Sequence, residues 1–419
     1  PTKADADTIL NDLSSASYTI SSIQKKEAKR MPPPPFTTST LQQVAGHKLG
    51  FSSKQTMMLA QQLNEGVALG THGHVGLITY MRTDSVNLSD RFISDCESFI
   101  KDTMTKEYTL PTPRRYKTKS KGAQEAHEAI HPTDPKMTPE AVKDFLNPRQ
   151  LKLYSLIWKR AIATQMAEGR LNRTTLDITE TKKSYMFRAT GQTMIFDGWM
   201  KLYPESIREE MLPELQKGDA VTCNELTPEQ HFTEPLARYS DATLVKILEE
   251  HGIGRPSTYA PTIATIETRG YVERDEDKRF KPTDIGTLVN DVLVEHFPDI
   301  VDYNFTAHME GELDAIAEGE KEWQPLIEKF YTSFHETILK KSEELSKKEL
   351  TEEQSSEVCE KCANPMVIKT GRFGKFLACT HYPECKNTKS LGEDGNPEDT
   401  TTEQKCELCS KPMATKHGR

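Results

Sequence analysis

The sequence has few apolar residues for its length and no long apolar run. Hydrophobic residues make up 35% of its 419 residues, and the 22 glycines raise that share only to about 40%, against roughly 45 to 50% for an average globular chain. No stretch approaches the 18 consecutive apolar residues of a membrane-spanning helix. The first residues, PTKADADTIL, also lack the basic and apolar regions of a secretion signal. Membrane spanning and secretion are therefore excluded from our expectations, and a modular architecture is favoured.

Positive charge is in deficit as well. The 54 Lys and Arg residues against 63 Asp and Glu residues give a net charge of −9, so no overall basic surface for nucleic acid is expected. Nucleic acid is not excluded, because the sign of the local charge decides binding. The phosphate-binding string GxxxxGK[ST] is absent, so the sequence offers no sign of ATP-driven chemistry.

Cysteine is scarce until the C-terminal end. Cys96 and Cys223 stand alone, and we predict that both are inert packing residues. The others are crowded together: Cys359, Cys362, Cys379, Cys385, Cys406 and Cys409. Without a secretion signal, Cys-x2-Cys pairs indicate metal sites more than disulfides. The first four of this group supply the thiolates of a closed, tetrahedral, structural Zn²⁺ site.

The cysteine-rich end contains an internal repeat. CEKCANPMVIKTGR begins at Cys359, and CELCSKPMATKHGR begins at Cys406. The first copy continues into FGKFLACTHYPEC, which brings Cys379 and Cys385, whereas the second copy supplies only Cys406 and Cys409. We therefore expect an incomplete second zinc site, disorder after about residue 400, and a chain cut from a longer protein.

Hydrophobic periodicity divides the chain into helical and β-rich parts. Because helix-rich sequence separates two β-like stretches, we expect these two stretches to join in one arch. The charged tract KKSEELSKKELTEEQSSE is typical of a solvated helix or a linker. The predicted parts are the first arch segment (1–36), a helical domain (37–170), the returning arch segment (171–236), a helical, winged-helix-like domain (237–350), a zinc ribbon (351–392), and a linker with a truncated second ribbon (393–419).

The string GLITYMRTDS, residues 76–85, is the most informative in the chain. Tyr80 ends an apolar run and Arg82 follows two residues later, which places both on one face of an extended segment. Taken alone, such a tyrosine is usually a core or rim aromatic and such an arginine a surface cation. The string closely resembles the tyrosine motif of bacterial type IA DNA topoisomerase I. The resemblance extends over nearly the whole chain through PPFTTSTLQQVAGHKLGFSSKQTMMLAQQL, QEAHEAIHPT (124–133), HGIGRPSTYAPTIATIETRGYV (251–272) and the cysteine ribbons.

The resemblance implies a fold and a chemistry. The implied fold is a multi-domain α+β protein with a helical tyrosine-bearing domain, a β-rich arch, part of a helical DNA-groove domain and a small zinc ribbon. In the family the motif tyrosine attacks a DNA phosphodiester and becomes linked to a 5′-phosphate, which places that role on Tyr80. Phenols ionise only near pH 10, so the attack needs help. Arg82 can donate to the phosphate oxygens, and His127 corresponds to a histidine that aids DNA binding or proton movement.

Acidic and basic neighbours of His127 have further expected roles. Glu125 and Glu128 flank it and could orient or charge it. Family members often carry Arg at the position of His131, so a DNA contact there would depend on pH in this chain. The basic run RRYKTKSK (114–121) predicts a phosphate-tracking loop that begins with Arg114 and Arg115, and an ordinary solvated loop is the alternative.

A second DNA-contacting segment is implied by GIGRPST. Gly252 and Gly254 let the backbone approach a phosphate closely, and Ser257 can cap the helix that follows. By resemblance, the segment lines a groove for single-stranded DNA, and the expected contacts are Arg255, Ser257 and Thr258.

Relatives begin with a Toprim domain whose acidic residues hold Mg²⁺. The Asp-x-Asp string of Asp275 and Asp277 lies in a charged hairpin, so we expect the Mg²⁺ site to be absent and this fragment alone to be unable to relax DNA. The expected partners are single-stranded segments of negatively supercoiled duplex and a Toprim domain in cis. The expected activity is ATP-independent relaxation through strand cleavage and passage, by a monomer in the bacterial cytoplasm at the nucleoid.

Two alternatives remain. One is a non-catalytic DNA-binding protein that reads duplex DNA with a winged helix at residues 240–290 and carries zinc ribbons. The other is the topoisomerase III branch of the same family, against which the YMRTDS string and the cysteine ribbons argue.

Overall fold

The structure is a computed structural model that describes residues 2–117, 127–182, 184–345, 352–371, 374–391, 401–405 and 412–414. The chain forms two compact units, Pro1–Ala237 and Arg238–Arg419. No helix among the described residues has both the length and the apolar character needed to span a membrane.

Helices build most of the first unit. Its described residues contain α1 (Lys3–Leu13), α2 (Thr38–Leu49), α3 (Ser53–Glu65), α4 (Asp90–Thr103), α5 (Pro139–Val142) and α6 (Pro148–Thr164). The break between α2 and α3 falls at Gly50, which ends α2 with φ 67°, a left-handed conformation that glycine adopts without a steric penalty. At the start of α6, the Asn147 side chain accepts from the N–H groups of Arg149 and Gln150, which satisfies donors that have no partner within the helix.

The helices pack around one apolar core. Leu41, Leu63, Leu153 and Tyr154 come from α2, α3 and α6 and are fully buried. Burying a leucine or aromatic side chain contributes roughly 1.5 to 3 kcal/mol, so this cluster stabilises the scaffold that carries residues 76–85. Cys96 on α4 is fully buried in the same core, as predicted.

A four-stranded antiparallel sheet joins the two ends of the first unit. Its strands are β1 (Tyr18–Arg30), β4 (Gly169–Glu180), β5 (Met186–Phe196) and β6 (Ala220–Val221), while β2 (Val67–Ala68) and β3 (His74–Val75) form a separate two-stranded hairpin. The large sheet has the order β5-β4-β1-β6, and β1 pairs with β4 from Tyr18 opposite Glu180 to Arg30 opposite Gly169. The expected joining of the two β-rich stretches is confirmed.

Cys223 is exposed, so its prediction as a packing residue is wrong. It lies just beyond β6, in a stretch without regular structure.

The second unit begins with helices and a small hairpin. The elements are α7 (Asp241–Glu250), α8 (Tyr259–Thr268), β7 (Val272–Arg274), β8 (Phe280–Pro282), α9 (Asp284–His296), α10 (Pro298–Val301), α11 (Tyr303–Ala317) and α12 (Trp323–Glu344). The expected order of helix, wing and helix is therefore present. Arg274 fixes the wing by donating to Asp241 and Glu267 at 2.6 Å while its guanidinium stacks over Phe280.

A four-stranded ribbon follows, with the strand order β12-β11-β10-β9. Its strands are β9 (Glu352–Val358), β10 (Pro365–Gly371), β11 (Gly374–Cys379) and β12 (Thr388–Ser390). The charged tract is helical as predicted up to Glu344, the end of α12, but its residues 352–357 belong to β9 and are neither helix nor linker. Glu352 pairs with Lys369 of β10 at 2.8 Å, and Glu353 pairs with Lys375 of β11 at 2.6 Å, so charges that suggested a solvated tract hold an edge strand in place.

The second copy of the repeat forms the same two-stranded start as the first. β13 (Thr401–Lys405) pairs with β14 (Pro412–Ala414), with Lys405 opposite Pro412. In the first copy, Val358 lies opposite Pro365 at the same point of the repeat. The expectation of disorder is therefore wrong for these two strands, because the repeated Pro-Met carries the same pairing. Cys406 and Cys409 lie outside the described residues.

Candidate active site and zinc ribbon

The backbone leading to Tyr80 is fixed to the segment that carries His131. Thr79 donates its N–H to the His131 carbonyl at 2.9 Å, and the His131 N–H donates to Thr79 Oγ1 at 3.0 Å. The preceding residue, Ile78, is buried and forms a β-bridge with Pro132. Tyr80 itself is 49% exposed, so a rigid base presents the phenol to solvent.

The backbone after Tyr80 is fixed to the first turn of α2. Thr38 Oγ1 donates to the Met81 carbonyl at 2.7 Å and accepts from the Thr83 N–H at 2.8 Å. Met81 and Thr83 are buried, at 4% and 2% exposure. Arg82 lies between them and is exposed.

His127 lies beside Tyr80. The two rings are 6.3 Å apart between centroids and meet edge to face at 63°. The structure thus brings the Tyr80 and His127 rings together, and Arg82 follows Tyr80 by two residues on the same loop. The chemical roles assigned to them remain predictions.

Close to His127 in the sequence, the buried His131 pairs with the partly exposed Glu128. His131 is only 3% exposed, its Nε2 lies 2.5 Å from Glu128 Oε2, and its Nδ1 lies 2.7 Å from the Pro132 carbonyl. The hydrogen bond to His131 lowers the pKa of Glu128, against the opposing effect of burial. Glu128, which was expected to orient or charge His127, thus has His131 as its partner. Because His131 is buried, the condition for a pH-dependent DNA contact at this position is not met in the structure. Glu125 lies outside the described residues.

The predicted basic loop is described only as far as residue 117. Arg114 donates through its Nη1 to the carbonyls of Thr164 and Met166 at 2.6 and 3.0 Å, and its side chain is 13% exposed. It thereby closes the C-terminal end of α6, and its DNA contact stays a prediction. Arg115 is 65% exposed and pairs with Asp90, and its DNA contact remains a prediction.

The GIGRPST segment forms a tight loop before α8. Gly252 and Gly254 both have positive φ, 69° and 82°, and a Cβ on Gly254 would meet Thr258 Oγ1 at 3.0 Å. The predicted capping by Ser257 is wrong, because the residue before α8 is Thr258, and its Oγ1 accepts from the Arg255 N–H at 2.8 Å. Ser257 is exposed.

Four cysteines of the ribbon form a candidate zinc site. The Sγ atoms of Cys359, Cys362, Cys379 and Cys385 lie within 4.8 Å of one another. Cys359 and Cys385 are 3.7 Å apart, and Cys362 and Cys379 are 3.3 Å apart. Sulfur atoms about 2.3 Å from a tetrahedral Zn²⁺ would be separated by roughly 3.8 Å, so the set fits the ion.

Hydrogen bonds to sulfur also suit a metal-bound thiolate. Burial raises the pKa of Cys359, but donors including the Lys361 N–H and the Asn387 amide outweigh it and lower the pKa, whereas burial raises the pKa of Cys379. Asn387 Nδ2 donates to Cys359 Sγ at 3.4 Å. Such donors favour the ionised sulfur that a metal requires.

Sequence reasoning missed several residues that hold these sites. Thr38 lies in the quoted PPFTTST string, but no spacing rule connects it to residues 81–83. Asp314, which pairs with Arg255 at 2.6 Å, lies in a different part of the sequence and gave no signal.

Comparison with known proteins agrees with this arrangement. A family profile described as "DNA topoisomerase" matches residues 1–328. A second, described as "Topoisomerase DNA binding C4 zinc finger", matches residues 356–394. The full-length topoisomerase I of Thermotoga maritima matches with a TM-score of 0.74 and 35% identity, over 94% of this chain and 64% of that chain. The present chain thus spans less than two thirds of that relative, and with both profiles and a shared fold it belongs to the bacterial type IA DNA topoisomerase family.

Proposed function

We propose that this chain carries the strand-cleaving tyrosine and part of the DNA groove of a DNA topoisomerase that relaxes negatively supercoiled DNA. The observation that carries the proposal is Tyr80, half-exposed on a loop anchored on both sides, with His127 against its ring. In the proposed reaction the Tyr80 oxygen attacks a DNA phosphorus, the phosphorus–3′-oxygen bond breaks, and a 5′-phosphotyrosine forms. The freed 3′-hydroxyl reverses the reaction after strand passage, so ATP is not required.

Arg82 and His127 have distinct proposed tasks. The exposed Arg82 guanidinium donates to the phosphate oxygens as negative charge redistributes in the transition state. His127 is near enough to the phenol to bind the adjacent phosphate or to move a proton. Burial of Met81 and Thr83 supports the role of Arg82. Because they fix the backbone on both sides of Arg82, its guanidinium has fewer orientations to lose when it binds a phosphate.

The metal ions have separate proposed roles. Zn²⁺ would be held by the four ribbon cysteines and would stabilise the ribbon fold. Mg²⁺ prefers oxygen ligands, but among the described residues the only group of three or more metal-ligating side chains is the cysteine set. Asp275 and Asp277 lie between β7 and β8, in the turn of the wing. We therefore propose that Mg²⁺ is held by a Toprim domain in cis. We also propose that the protein is a monomer in the cytoplasm.

The test uses supercoiled plasmid and single-stranded oligonucleotides. The 419-residue chain should bind the oligonucleotide and leave the plasmid supercoiled, whereas the same chain joined to a Toprim domain should relax it in Mg²⁺. In the joined protein, Tyr80→Phe should abolish relaxation and the covalent adduct while DNA binding is kept, because only the nucleophilic oxygen is lost. Tyr331→Phe, at a tyrosine that is 56% exposed on α12, is the control and should relax plasmid normally.

The same experiment decides against the non-catalytic alternative. A winged-helix protein that reads duplex DNA would form no covalent adduct in any variant and would prefer duplex to single strands. Relaxation by the Tyr80→Phe variant would contradict the proposed role of the tyrosine.

A further inference from the structure

Arg255 in the GIGRPST segment uses its side-chain donors within the protein. Its Nη2 donates to Asp314 Oδ2 at 2.6 Å and its Nε to Asp314 Oδ1 at 3.4 Å, as a two-pronged pair. Its Nη1 donates to the carbonyls of Gly254 and Gly252, at 2.8 and 3.4 Å. The guanidinium therefore ties the loop backbone to a carboxylate on α11.

Two further contacts connect the same loop with α11. Glu310 lies one helical turn before Asp314, and its Oε2 is 3.7 Å from Arg255 Nε. The ring of His251, just before the loop, stacks on Tyr303 at the start of α11, with centroids 5.8 Å apart and planes at 30°. The helix thus contacts the residue before the loop and the arginine at its centre.

This support matters because the loop contains two glycines with positive φ. Glycine leaves an unsupported backbone many accessible conformations, and each must be given up when the loop binds a ligand. A carboxylate that fixes the guanidinium, and through it two loop carbonyls, removes that freedom before binding. The exposed Ser257 hydroxyl is then presented in one orientation.

We propose that Asp314 is a positioning residue for DNA binding by residues 252–258: it holds Arg255 and thereby keeps the loop in its DNA-binding shape. The proposal rests on the proposed function, because it assigns a task within the same DNA groove. Asp314 touches no DNA in this proposal and acts only through Arg255.

A competing interpretation makes a prediction of opposite sign. If Asp314 merely occupied Arg255 and competed with DNA phosphate, removing its negative charge would strengthen binding of a polyanion. If Asp314 positions the loop, removing the same charge weakens binding, although electrostatic repulsion falls. The direction of the change in affinity therefore separates the two.

The experiment measures binding of the 419-residue chain to a fluorescent oligothymidine by anisotropy, at several salt concentrations. Asp314→Asn should weaken binding about tenfold, the order expected for a lost charge-assisted hydrogen bond. Asp314→Glu, which keeps the carboxylate, should recover part of the loss. Glu318→Gln removes an exposed charge one turn further along, at the end of α11, and should leave affinity unchanged or slightly raised.

Non-additivity provides the second measurement. Arg255→Lys keeps the positive charge but loses the fork, so it should weaken binding as Asp314→Asn does, and the double variant should be no weaker than either single variant. Circular dichroism melting of each variant checks that the second unit is folded. Unchanged or tighter binding by Asp314→Asn, an equal loss in Glu318→Gln, or additive losses in the double variant would overturn the proposal. Absence of binding by the unsubstituted chain would overturn the proposed function, and this inference with it.

Discussion

The exposed Tyr80 side chain stands on a backbone whose neighbouring residues are buried or hydrogen-bonded. Leu77 and Ile78 before it are almost fully buried, and Met81 after it is 4% exposed. Thr38 holds the following backbone through the Met81 carbonyl and the Thr83 N–H. A nucleophile on such a base loses little freedom when it meets a phosphate, which is how positioning lowers a reaction barrier.

Glu128 makes the stability of the folded chain depend on pH. The hydrogen bond from His131 holds the pKa of Glu128 below its usual range in the folded chain, whereas an unfolded Glu titrates near pH 4.3. Its stabilising contribution is therefore fully present above about pH 4.3 and is lost as pH falls through the lower, folded pKa. Glu128→Gln should lower the free energy of unfolding by about 1 kcal/mol at pH 7 and by less near pH 3.

Thermal melting of both proteins between pH 7 and pH 3 measures that convergence. Glu140→Gln is the control, because Glu140 is 79% exposed and pairs only with Lys143 on the surface, where such pairs contribute little. A gap between wild type and Glu128→Gln that stayed constant down to pH 3 would show that the carboxylate charge does not stabilise the folded chain.

Single residues could be identified from sequence where their motif is contiguous. Tyr80 and His127 each lie in a characteristic string, and their proximity follows once both strings are placed in one family. Asp314 and Thr38 have partners that are distant in the sequence and come close only in the folded chain. No local sequence pattern therefore marks these two residues. Arg114 was assigned to DNA because it opens a basic run, yet the end of α6 offers its guanidinium two carbonyls.

At the scale of elements, the junction between the sheet and the helices depends on one glycine. Gly198 has φ +53°, and a Cβ there would lie 2.6 Å from the Ala167 carbonyl oxygen and 2.7 Å from the backbone of Glu168. The next residue, Trp199, is fully buried and donates its ring N–H to the Arg30 carbonyl at 2.8 Å. Gly198 thus lets the chain turn tightly enough to place Trp199 between β1 and the helical core.

Gly198→Ala should lower the free energy of unfolding by about 2 to 4 kcal/mol, because left-handed strain adds to a backbone clash. Gly218→Ala is a matched control: Gly218 has φ +96° but nothing within 4 Å of the added Cβ. It should cost only about 1 to 2 kcal/mol. Urea unfolding measures both variants, and equal losses would mean that the close approach at Gly198 relaxes without cost.

Elements whose apolar residues recur with a regular period could be predicted from the sequence. A strand held by ion pairs with neighbouring strands could not. The helices α2, α3 and α6 follow the apolar spacing of their sequences because each packs one face on the core. β9 has no apolar alternation, since its Glu side chains pair with lysines of β10 and β11. Its strand state follows from that pairing, which the sequence of residues 352–358 alone does not contain.

At the scale of the whole molecule, the distribution of eight cysteines limits the zinc content. Cys96 is buried in the helical core, and neither it nor Cys223 belongs to the group of metal-ligating side chains found among the described residues. The four ribbon cysteines form a complete set, and the second copy of the repeat contributes only Cys406 and Cys409. Two thiolates do not complete a four-ligand site.

Metal analysis of the purified chain should therefore give about one zinc per molecule, with the repeat providing one tight site and one incomplete pair. Replacing Cys379 and Cys385 with Ser should reduce the zinc content to near zero, because only two ligands of the complete set remain. The same change should unfold the ribbon, because its core consists largely of these cysteines with Met366 and Leu377. Replacing Cys406 and Cys409 with Ser is the matched control and should leave the content near one. Two tightly bound zinc ions in a monomer would contradict the argument, since they would require the second copy to complete its site with ligands other than cysteine.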